Sequence, residues 1–400
     1  ILVVTYYWPP AGGSGVQRWL NFSRHLAELG WDITVICPEN PSYPLKDRSI
    51  ENSISSLVKV IKVPIFEPIN ILNISSKKRN RDHLDSSGFL QKIVLWIRSN
   101  FFFPDSRMFW IKKVVNVASS FIIKNNVDCI ITTAPPFSTH LAGYYVKLKT
   151  NVKWIADFRD PWFNFFPFQQ LPMMQIIRNK HLRWEKKCLL FADAVITTSP
   201  SLTKSYLKSN NNSYTVTNGY ESLIDPEPNK KFILMYTGVM KSIQNPENLW
   251  LVLNELCKEN KSFAKDLLVT LIGDFDDSII NDPNIISLGS SVNFEGYLDS
   301  VKLKDKLQKA QVLLLSSVNL DGVTNIIPGK LFSYLSVKRP ILAFSSLNSD
   351  VEDIINETKS GRVFDYSNKV NLKEHILDLY TQFRVSNTSL DAFEIDQYNY

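Results

Sequence analysis

The sequence contains few of the residues that mark several common classes of protein. Its 400 residues include four cysteines, Cys37, Cys129, Cys188 and Cys257, which lie far apart and show no paired spacing. This pattern argues against a zinc site and against a disulfide-rich secreted scaffold, so we expect reduced thiols in a cytoplasm. The five histidines show no metal-ligand spacing either.

Long apolar runs and a strong charge imbalance are also missing. No stretch reaches the roughly 20 apolar residues needed to span a bilayer, and no signal peptide is visible. Because Ile1 is not a methionine and already lies in a strand pattern, we expect a trimmed N-terminus. Lysine and arginine number 45 against 39 aspartate and glutamate. This small excess does not predict nucleic-acid binding, but it suits an anionic ligand or an anionic surface.

The sequence does contain a regular alternation of short apolar segments with helical patterns. Strands are predicted at 1–5, 31–37, 128–132, 153–157 and 194–198. After a turn at 217–219, a second series is predicted at 232–237, 267–273, 311–317 and 340–344. We therefore predict an α/β protein of two doubly wound, Rossmann-like domains, residues 1–219 and 220–400. Ligands bind at the carboxyl ends of such strands, so we expect the active site in a cleft between the domains.

Capping residues mark the ends of two predicted helices. Gly30 stands where a left-handed C-terminal cap is expected after the first helix. Asn245 is predicted to be the N-cap of a later helix, with Pro246 at its first position and Glu247 in its first turn.

The segment PPAGGSGVQR, residues 9–18, joins the first predicted strand to the first helix. Gly13 and Gly15 fill two positions of the dinucleotide fingerprint Gly-x-Gly-x-x-Gly, but Arg18 occupies the third, so we do not expect a nicotinamide cofactor. Glycines that let the backbone approach a ligand, and free N–H groups at a helix start, still favour an anion. A plain connection without a ligand stays open as the alternative.

Five segments of the sequence carry a family resemblance. They are GGSGVQRWLNFSRHLAELGWDITVICP, KWIADFRDPW, NGYE, YTGVMKSIQNPENL and IPGKLFSYLSVKRPIL. In this order they resemble glycosyltransferase family 4, whose members are retaining enzymes of the GT-B fold. The resemblance implies two Rossmann-like domains facing across a cleft, the first binding mainly the acceptor and the second mainly a nucleotide-sugar donor. Relatives often have a last helix that crosses back to the first domain.

The resemblance also implies a set of donor-binding residues. The glycine loop of the first domain would touch the donor diphosphate, and Lys330 would add a positive charge at a predicted helix start in the second domain. A solvated surface lysine is the alternative for Lys330 and for Lys241. The implied donor-binding residues are Gly12, Gly13, Ser14, Gly15, Gly238, Lys241, Asn325, Gly329, Lys330 and Ser333.

The sequence departs from the family pattern at three positions. The family usually has two glutamates separated by seven residues, where this chain has Asn325 and Ser333, and Gln244 stands near the place of an arginine. Asparagine and serine hold a hydroxyl group more weakly than a carboxylate does. A sugar-nucleotide binder without catalysis is therefore one alternative function, and a GT-B-like nucleotide-sugar epimerase is another.

Asp157, Arg159 and Asp160 are the candidate catalytic residues, since they concentrate charge at the end of a predicted strand. Many relatives have a histidine near this place, and this chain has none there. Retaining transfer in this fold is thought to proceed on one face of the sugar, with the leaving phosphate taking the acceptor proton, so it depends on positioning and charge stabilisation. Asp157 or Asp160 would orient the acceptor hydroxyl or the donor sugar, and Arg159 would organise them. The alternative is a pair of charges that only fixes the loop.

The implied reaction moves a hexose from a UDP- or GDP-sugar to a glycan or polyprenyl-linked acceptor in bacterial surface polysaccharide synthesis. No cofactor and no metal are expected, and nucleic acid is not an expected partner. Asp274-Phe275-Asp276-Asp277 resembles the Asp-x-Asp metal site of a different glycosyltransferase fold. After a strand of a GT-B domain, an ordinary loop is the preferred interpretation.

Residues 75–113 combine the basic run SSKKRNRDH with the mixed segment FLQKIVLWIRSNFFFPDSRMFWIKK. Such a segment is suited to an anionic membrane surface, with cations at the headgroups and apolar side chains in the interface. It would place a cytoplasmic enzyme on the inner face of the cytoplasmic membrane, near a lipid-linked acceptor. The alternative is a helix whose aromatic face packs on the core, preceded by a basic loop.

Overall fold

Two parallel β-sheets organise the chain. The computed structural model describes residues 1–68, 87–318, 326–386 and 393–400. The described residues divide into two units, Ile1–Thr217 and Asn218–Tyr400, and each unit is built on a sheet of its own. Parallel neighbours need a long crossover connection, which is why strands and helices alternate along the sequence.

The sheet of the first unit has seven strands. They are β1 (Leu2–Val4), β2 (Ile33–Glu39), β3 (Val58–Pro64), β4 (Cys129–Ala134), β5 (Lys153–Phe158), β6 (Ala194–Thr197) and β7 (Ser213–Thr215). Their order is β3-β2-β1-β4-β5-β6-β7, and neighbouring strands are parallel. The helices are α1 (Ser14–Glu28), α2 (Ser87–Phe101), α3 (Met108–Lys124), α4 (Ser138–Thr150), α5 (Phe166–Gln169), α6 (Gln175–Phe191) and α7 (Pro200–Tyr206), with a 3₁₀ turn at Arg48–Ser53.

The centre of this sheet explains where a ligand can bind. Leu2, Val3 and Val4 of β1 are fully buried, as expected of a strand covered on both faces. The strand order changes direction between β1 and β4, so the loops that follow these two strands diverge at one sheet edge. Such a switch point is the usual ligand site of a doubly wound sheet.

The sheet of the second unit has six strands. They are β8 (Phe232–Met240), β9 (Leu267–Phe275), β10 (Val292–Glu295), β11 (Val312–Ser316), β12 (Ile341–Phe344) and β13 (Gly361–Phe364), in the order β10-β9-β8-β11-β12-β13, all parallel. The helices are α8 (Glu247–Glu259), α9 (Lys261–Asp266), α10 (Asp277–Ile280), α11 (Pro283–Ser287), α12 (Ser300–Leu307), α13 (Lys330–Leu335), α14 (Asp350–Glu357) and α15 (Lys369–Ser386), with 3₁₀ turns at Ser242–Gln244, Gly289–Ser291 and Asp396–Tyr398.

The C-terminal segment packs within its own unit. Helix α15 contributes Leu372, Ile376 and Tyr380 to the core cluster that includes α8 and β8. The last described residues return to the start of the unit, where the Tyr220 N–H donates to the Tyr398 carbonyl at 2.9 Å. Among the described residues, none of the helices has the length and apolar character that crossing a membrane requires.

One predicted helix end is confirmed and one is wrong by a residue. Gly30 follows α1 with a φ of 93°, the left-handed value that favours glycine there. Helix α8 begins at Glu247 with Pro246 as its N-cap, so Asn245 is not the cap. The Asn245 side chain instead accepts a hydrogen bond from Trp250 Nε1 at 2.7 Å and donates to Asp282 at 3.1 Å.

Candidate functional site

The glycine turn of the first unit closes against an arginine. Gly13 precedes α1 with a φ of 86°, and Ser14 begins the helix. The Gly12 N–H donates to the Leu45 carbonyl at 3.0 Å. A Cβ atom on Gly15 would lie 3.0 Å from Arg159 Nη1, closer than real Cβ contacts usually are. A side chain at residue 15, in the first turn of α1, would therefore require the Arg159 guanidinium to shift.

Arg159 joins three backbone segments. Its guanidinium donates to the carbonyls of Ala134 at 3.3 Å, Pro135 at 2.5 Å and Gly15 at 2.8 Å. These carbonyls belong to the end of β4, the loop after it and the glycine turn. Arg159 therefore holds the switch-point loops together through their backbone carbonyls.

Asp157 lies in the interior of the first unit. Its side chain is 0% exposed and forms an ion pair with Arg18, which is 1% exposed, at 2.9 Å. Arg18 Nε also approaches Oδ2 at 3.2 Å, and Trp19 Nε1 donates to the same oxygen at 2.6 Å. Burial alone would raise the pKa of Asp157, but the charge and hydrogen bonds of Arg18 reverse this and lower it. Because both carboxylate oxygens are engaged, the geometry favours a structural role, and we do not expect Asp157 to touch a substrate.

Asp160 has the opposite environment. Its side chain is half-buried, and within the described part of the chain its carboxylate forms no hydrogen bond or ion pair. Burial raises the pKa of Asp160, and the nearby Arg159 charge opposes the shift. A carboxylate without an internal partner at the end of β5 remains available to a ligand.

The backbone after Asp160 is fixed by residues that the sequence analysis did not identify. The N–H groups of Trp162 and Phe163 donate to the Glu185 carboxylate at 3.1 and 3.3 Å. Trp162 Nε1 donates to His181 Nδ1 at 3.1 Å, and burial lowers the pKa of His181 to about 4, so the ring is neutral and accepts. No sequence signal links Glu185 or His181 to this loop, because helix α6 carries them about 20 residues away. Helix α6 thus holds the loop that presents Asp160.

The main feature of the candidate site in the second unit is the side chain of Lys330. Its ammonium is buried, has no hydrogen-bond partner among the described residues, and lies 3.7 Å from the centroid of the Tyr236 ring. Burial lowers its pKa to about 7. Lys330 begins α13, whose N-cap is Gly329; this helix has only six residues, so its dipole is weak and the ammonium supplies the charge.

Gly238 and Lys330 lie side by side. Gly238 has a φ of 102°, and a Cβ atom there would lie 3.5 Å from Lys330 Nζ. A side chain at residue 238 would therefore cover the ammonium. The structure brings together these two sequence candidates, which are 92 positions apart in the sequence.

Lys241 and Gln244 have internal partners instead. Lys241 Nζ forms an ion pair with Asp276 at 2.9 Å, and the Ser242 N–H donates to the same carboxylate at 2.8 Å. Gln244 Oε1 accepts from the Lys241 N–H at 3.0 Å, so it closes the turn after β8. Lys241 is therefore a weaker phosphate candidate than Lys330.

The remaining sequence candidates are placed as follows. Ser333 is exposed on α13, one turn after Lys330. Asn325 lies outside the described residues. In the run Asp274–Asp277, Asp276 is held by Lys241 and begins the short helix α10 as its N-cap. Among the described residues, no group of three or more histidine, cysteine or acidic side chains could hold a metal ion.

Sequence comparisons find no match among protein-family models and none among curated proteins. Solved structures do match, over almost the whole chain. WaaG, a glycosyltransferase involved in lipopolysaccharide biosynthesis, superposes with a TM-score of 0.56 at 11% identity, covering 99% of this chain and 97% of WaaG. Anabaena HepE in complex with UDP and glucose has a TM-score of 0.60 at 11% identity, covering 97% and 90%. A putative UDP-N-acetylglucosamine 2-epimerase from Listeria monocytogenes has a TM-score of 0.56 at 11% identity, covering 100% and 91%.

These similarities establish the fold. The two Rossmann-like α/β domains predicted from the sequence are confirmed, and the architecture matches structures of the GT-B type. At such low identities the similarity does not extend to the reaction or to its substrates.

Proposed function

We propose that this chain is a retaining glycosyltransferase of family 4. In this proposal it transfers a hexose from a UDP- or GDP-sugar to a glycan or polyprenyl-linked acceptor during bacterial surface polysaccharide synthesis. The observation that supports it best is the buried Lys330 ammonium, which lies next to Gly238 and lacks a hydrogen-bond partner within the part of the chain that the structure describes. The GT-B fold and the WaaG similarity are consistent with this assignment.

The environment of Lys330 favours a phosphate ligand. A buried ammonium without an acceptor is costly, since desolvation is compensated neither by a hydrogen bond nor by a carboxylate. A donor diphosphate would supply both acceptors and negative charge, and charge-assisted hydrogen bonds of this kind are strong. Gly238 has no side chain that would fill the space beside the ammonium. We propose that Gly12, Gly13, Ser14 and Gly15 also contact the donor, with Gly329, Ser333 and Asn325 as further donor contacts and Lys241 as a minor one.

The proposed chemistry depends on charge stabilisation. The bond between the anomeric carbon and the diphosphate oxygen breaks while the acceptor oxygen attacks from the same face, and the acceptor proton moves to the leaving phosphate. Lys330 would stabilise the negative charge that develops on the diphosphate. Asp160 would orient the acceptor hydroxyl, and Arg159 would hold the loop that presents it. Neither a metal nor another cofactor has a role in this proposal.

We expect a large effect on turnover from Asp160. The Asp160→Asn variant removes the charge while keeping the shape, and we expect kcat to fall about 100-fold, because misplacing a reacting group by about 1 Å can cost a factor of this size. The affinity for the nucleotide should stay unchanged. The measurement is release of UDP or GDP from a panel of nucleotide sugars, with and without lipid-linked glycan acceptors.

Asp128→Asn is the matched control for this experiment. Asp128 is exposed and precedes β4, at the amino end of the strand. Normal turnover in the Asp160→Asn variant would remove Asp160 from the mechanism. Absence of any nucleotide release from the unsubstituted protein, across the panel, would contradict the transferase proposal itself.

We also expect donor binding to depend on pH. The pKa of Lys330 in the free protein is lowered to about 7, and a bound diphosphate favours the charged form, so binding raises it again. Affinity should be constant below about pH 7 and fall by up to tenfold per unit above it, with uptake of a proton. Calorimetry measures this dependence. The ligand should be a nucleotide sugar and not UDP, because the terminal phosphate of UDP titrates at about pH 6 and would add a pH dependence of its own. In Lys330→Arg the charge is fixed, and the dependence should disappear.

One observation favours a second function. The match to a putative epimerase shows that the fold also occurs in a protein with that description. An epimerase would change the donor sugar without any acceptor, whereas a transferase needs an acceptor for efficient turnover. Analysis of the sugar nucleotide after incubation with the protein alone therefore separates the two functions.

A further inference from the structure

Helix α2 shows the reverse of the pattern expected for a helix in water. Near its C-terminus it buries Asn100, whose amide donates to the Pro172 carbonyl at 2.9 Å and accepts from the Met174 N–H at 2.7 Å. The side chains that it exposes are apolar: Ile93 38%, Leu95 37%, Trp96 41%, Ile97 39% and Phe101 63%. Water-exposed helices normally bury such side chains and expose polar ones.

The exposed apolar side chains form a continuous surface with a depression in it. Lys92, Ile93, Leu95, Trp96 and Pro172 line a cavity of about 360 Å³. Trp96 also contacts Phe101, with ring centroids 5.9 Å apart. Exposed patches of this kind mark a surface that binds a partner. We call this surface, Ile93 to Phe101 with Lys92 and Pro172, the α2 face.

Helix α2 carries the cations Lys92 and Arg98 and no acidic residue. Residues 87–113 contain Lys92, Arg98, Arg107, Lys112 and Lys113 against the single acid Asp105. The oxygens of Asp105 accept from the backbone N–H groups of residues 107 and 138, both at 2.9 Å. Lys92, Arg98, Lys112 and Lys113 are exposed, whereas Arg107 is half-buried and forms an ion pair with Glu67 at 3.3 Å. The partner of this face is therefore expected to be anionic as well as apolar.

We propose that the α2 face docks on the surface of a bilayer that contains anionic phospholipid. Lysine and arginine would contact the headgroups, and Trp96 with its apolar neighbours would enter the interface, where tryptophan is favoured. A second copy of this chain is a poor partner, because a symmetric contact would place like charges opposite each other. Docking does not depend on the donor site; only its purpose, access to a lipid-linked acceptor, rests on the proposed function.

Flotation of the intact protein with vesicles tests this docking. We expect binding to phosphatidylcholine vesicles that contain phosphatidylglycerol, with weaker binding at high salt and to phosphatidylcholine alone. The Trp96→Ser variant should lower the partition coefficient at least about tenfold, since binding scales with the buried apolar area. Ile123→Ser is the matched control, because Ile123 is 76% exposed at the end of α3. This control should bind like the unsubstituted protein.

Three outcomes would overturn the proposal. They are absence of binding to anionic vesicles, equal binding by the Trp96→Ser variant, and a concentration-dependent dimer that Trp96→Ser abolishes, which would make the face an interface between copies. A cooperative thermal unfolding transition of the Trp96→Ser variant would show that this variant is folded. Nucleotide binding measured on the same preparations separates the two proposals. If the protein binds UDP or GDP but does not bind vesicles, only the proposal for the α2 face is contradicted.

Discussion

A Lys330→Met variant is expected to bind UDP or GDP about 10- to 100-fold more weakly than the unsubstituted protein. Methionine keeps the length of the side chain and removes the ammonium, which would otherwise donate to the diphosphate. Hydrogen bonds to charged groups contribute about 1.5–3 kcal/mol, which corresponds to this range of affinities. Calorimetric titration of the intact protein with UDP, GDP and NAD measures the loss and identifies the preferred base.

The same substitution is expected to raise the melting temperature of the free protein. Lys330 is buried above the Tyr236 ring and has no carboxylate partner in residues 1–68, 87–318, 326–386 and 393–400, and this environment lowers its pKa to about 7. An apolar replacement of similar volume removes the desolvation penalty of the charged form. A residue that lowers the stability of the free protein and supplies affinity in the complex is a ligand-binding residue. Replacement of a structural lysine would instead lower both the melting temperature and the nucleotide affinity.

Lys241→Met provides the matched comparison. Lys241 lies in the same unit, but its ammonium is paired with Asp276 and is 54% exposed. We therefore expect a change in nucleotide affinity of less than about threefold, as for other exposed pairs. Unchanged UDP and GDP affinity in Lys330→Met, or binding of NAD alone, would contradict the donor-site proposal.

The sequence predicted the parts of the fold that follow from local pattern. Apolar runs such as Leu2–Val4 and Val312–Ser316 are central strands that are buried on both faces. Such a run can be assigned as a strand without knowing which strands pair with it. It missed β3, β7, β10 and β13, the strands at the sheet edges, which contain residues such as Lys59, Lys62 and Asn293. At an edge the pairing of backbone groups decides the structure, and side-chain pattern predicts it poorly.

The candidate site was predictable in a similar way. A lysine at a helix start is a local signal, and it identifies Lys330, whereas Gly238 is identified through the family resemblance. Whether a lysine is solvated or buried depends on the fold, so the burial of the Lys330 ammonium could not be predicted. The partners of Asp157 and of the loop after Asp160 come from α1 and α6, and long-range contacts of this kind leave no signal in a single sequence.

The roles of Asp157 and Arg18 can be separated by their effect on stability. Removing one partner of a buried ion pair leaves the other charge uncompensated and typically costs about 3–5 kcal/mol. We therefore expect Asp157→Ala and Arg18→Met each to lower the free energy of unfolding of the first unit by this amount. Together they should cost less than the sum of the two, because the first substitution already breaks the pair.

Urea unfolding followed by tryptophan fluorescence is suited to this measurement. Eight of the nine tryptophans lie in the first unit, so the signal reports its unfolding. Asp32→Ala and Lys59→Ala form the control pair, since these side chains are 74% and 68% exposed and should change the stability by less than about 1 kcal/mol. If Asp157→Ala instead keeps full stability and loses turnover, Asp157 acts in the reaction. A large loss of stability means that Arg18, at the position where a dinucleotide fold requires glycine, is there to hold Asp157.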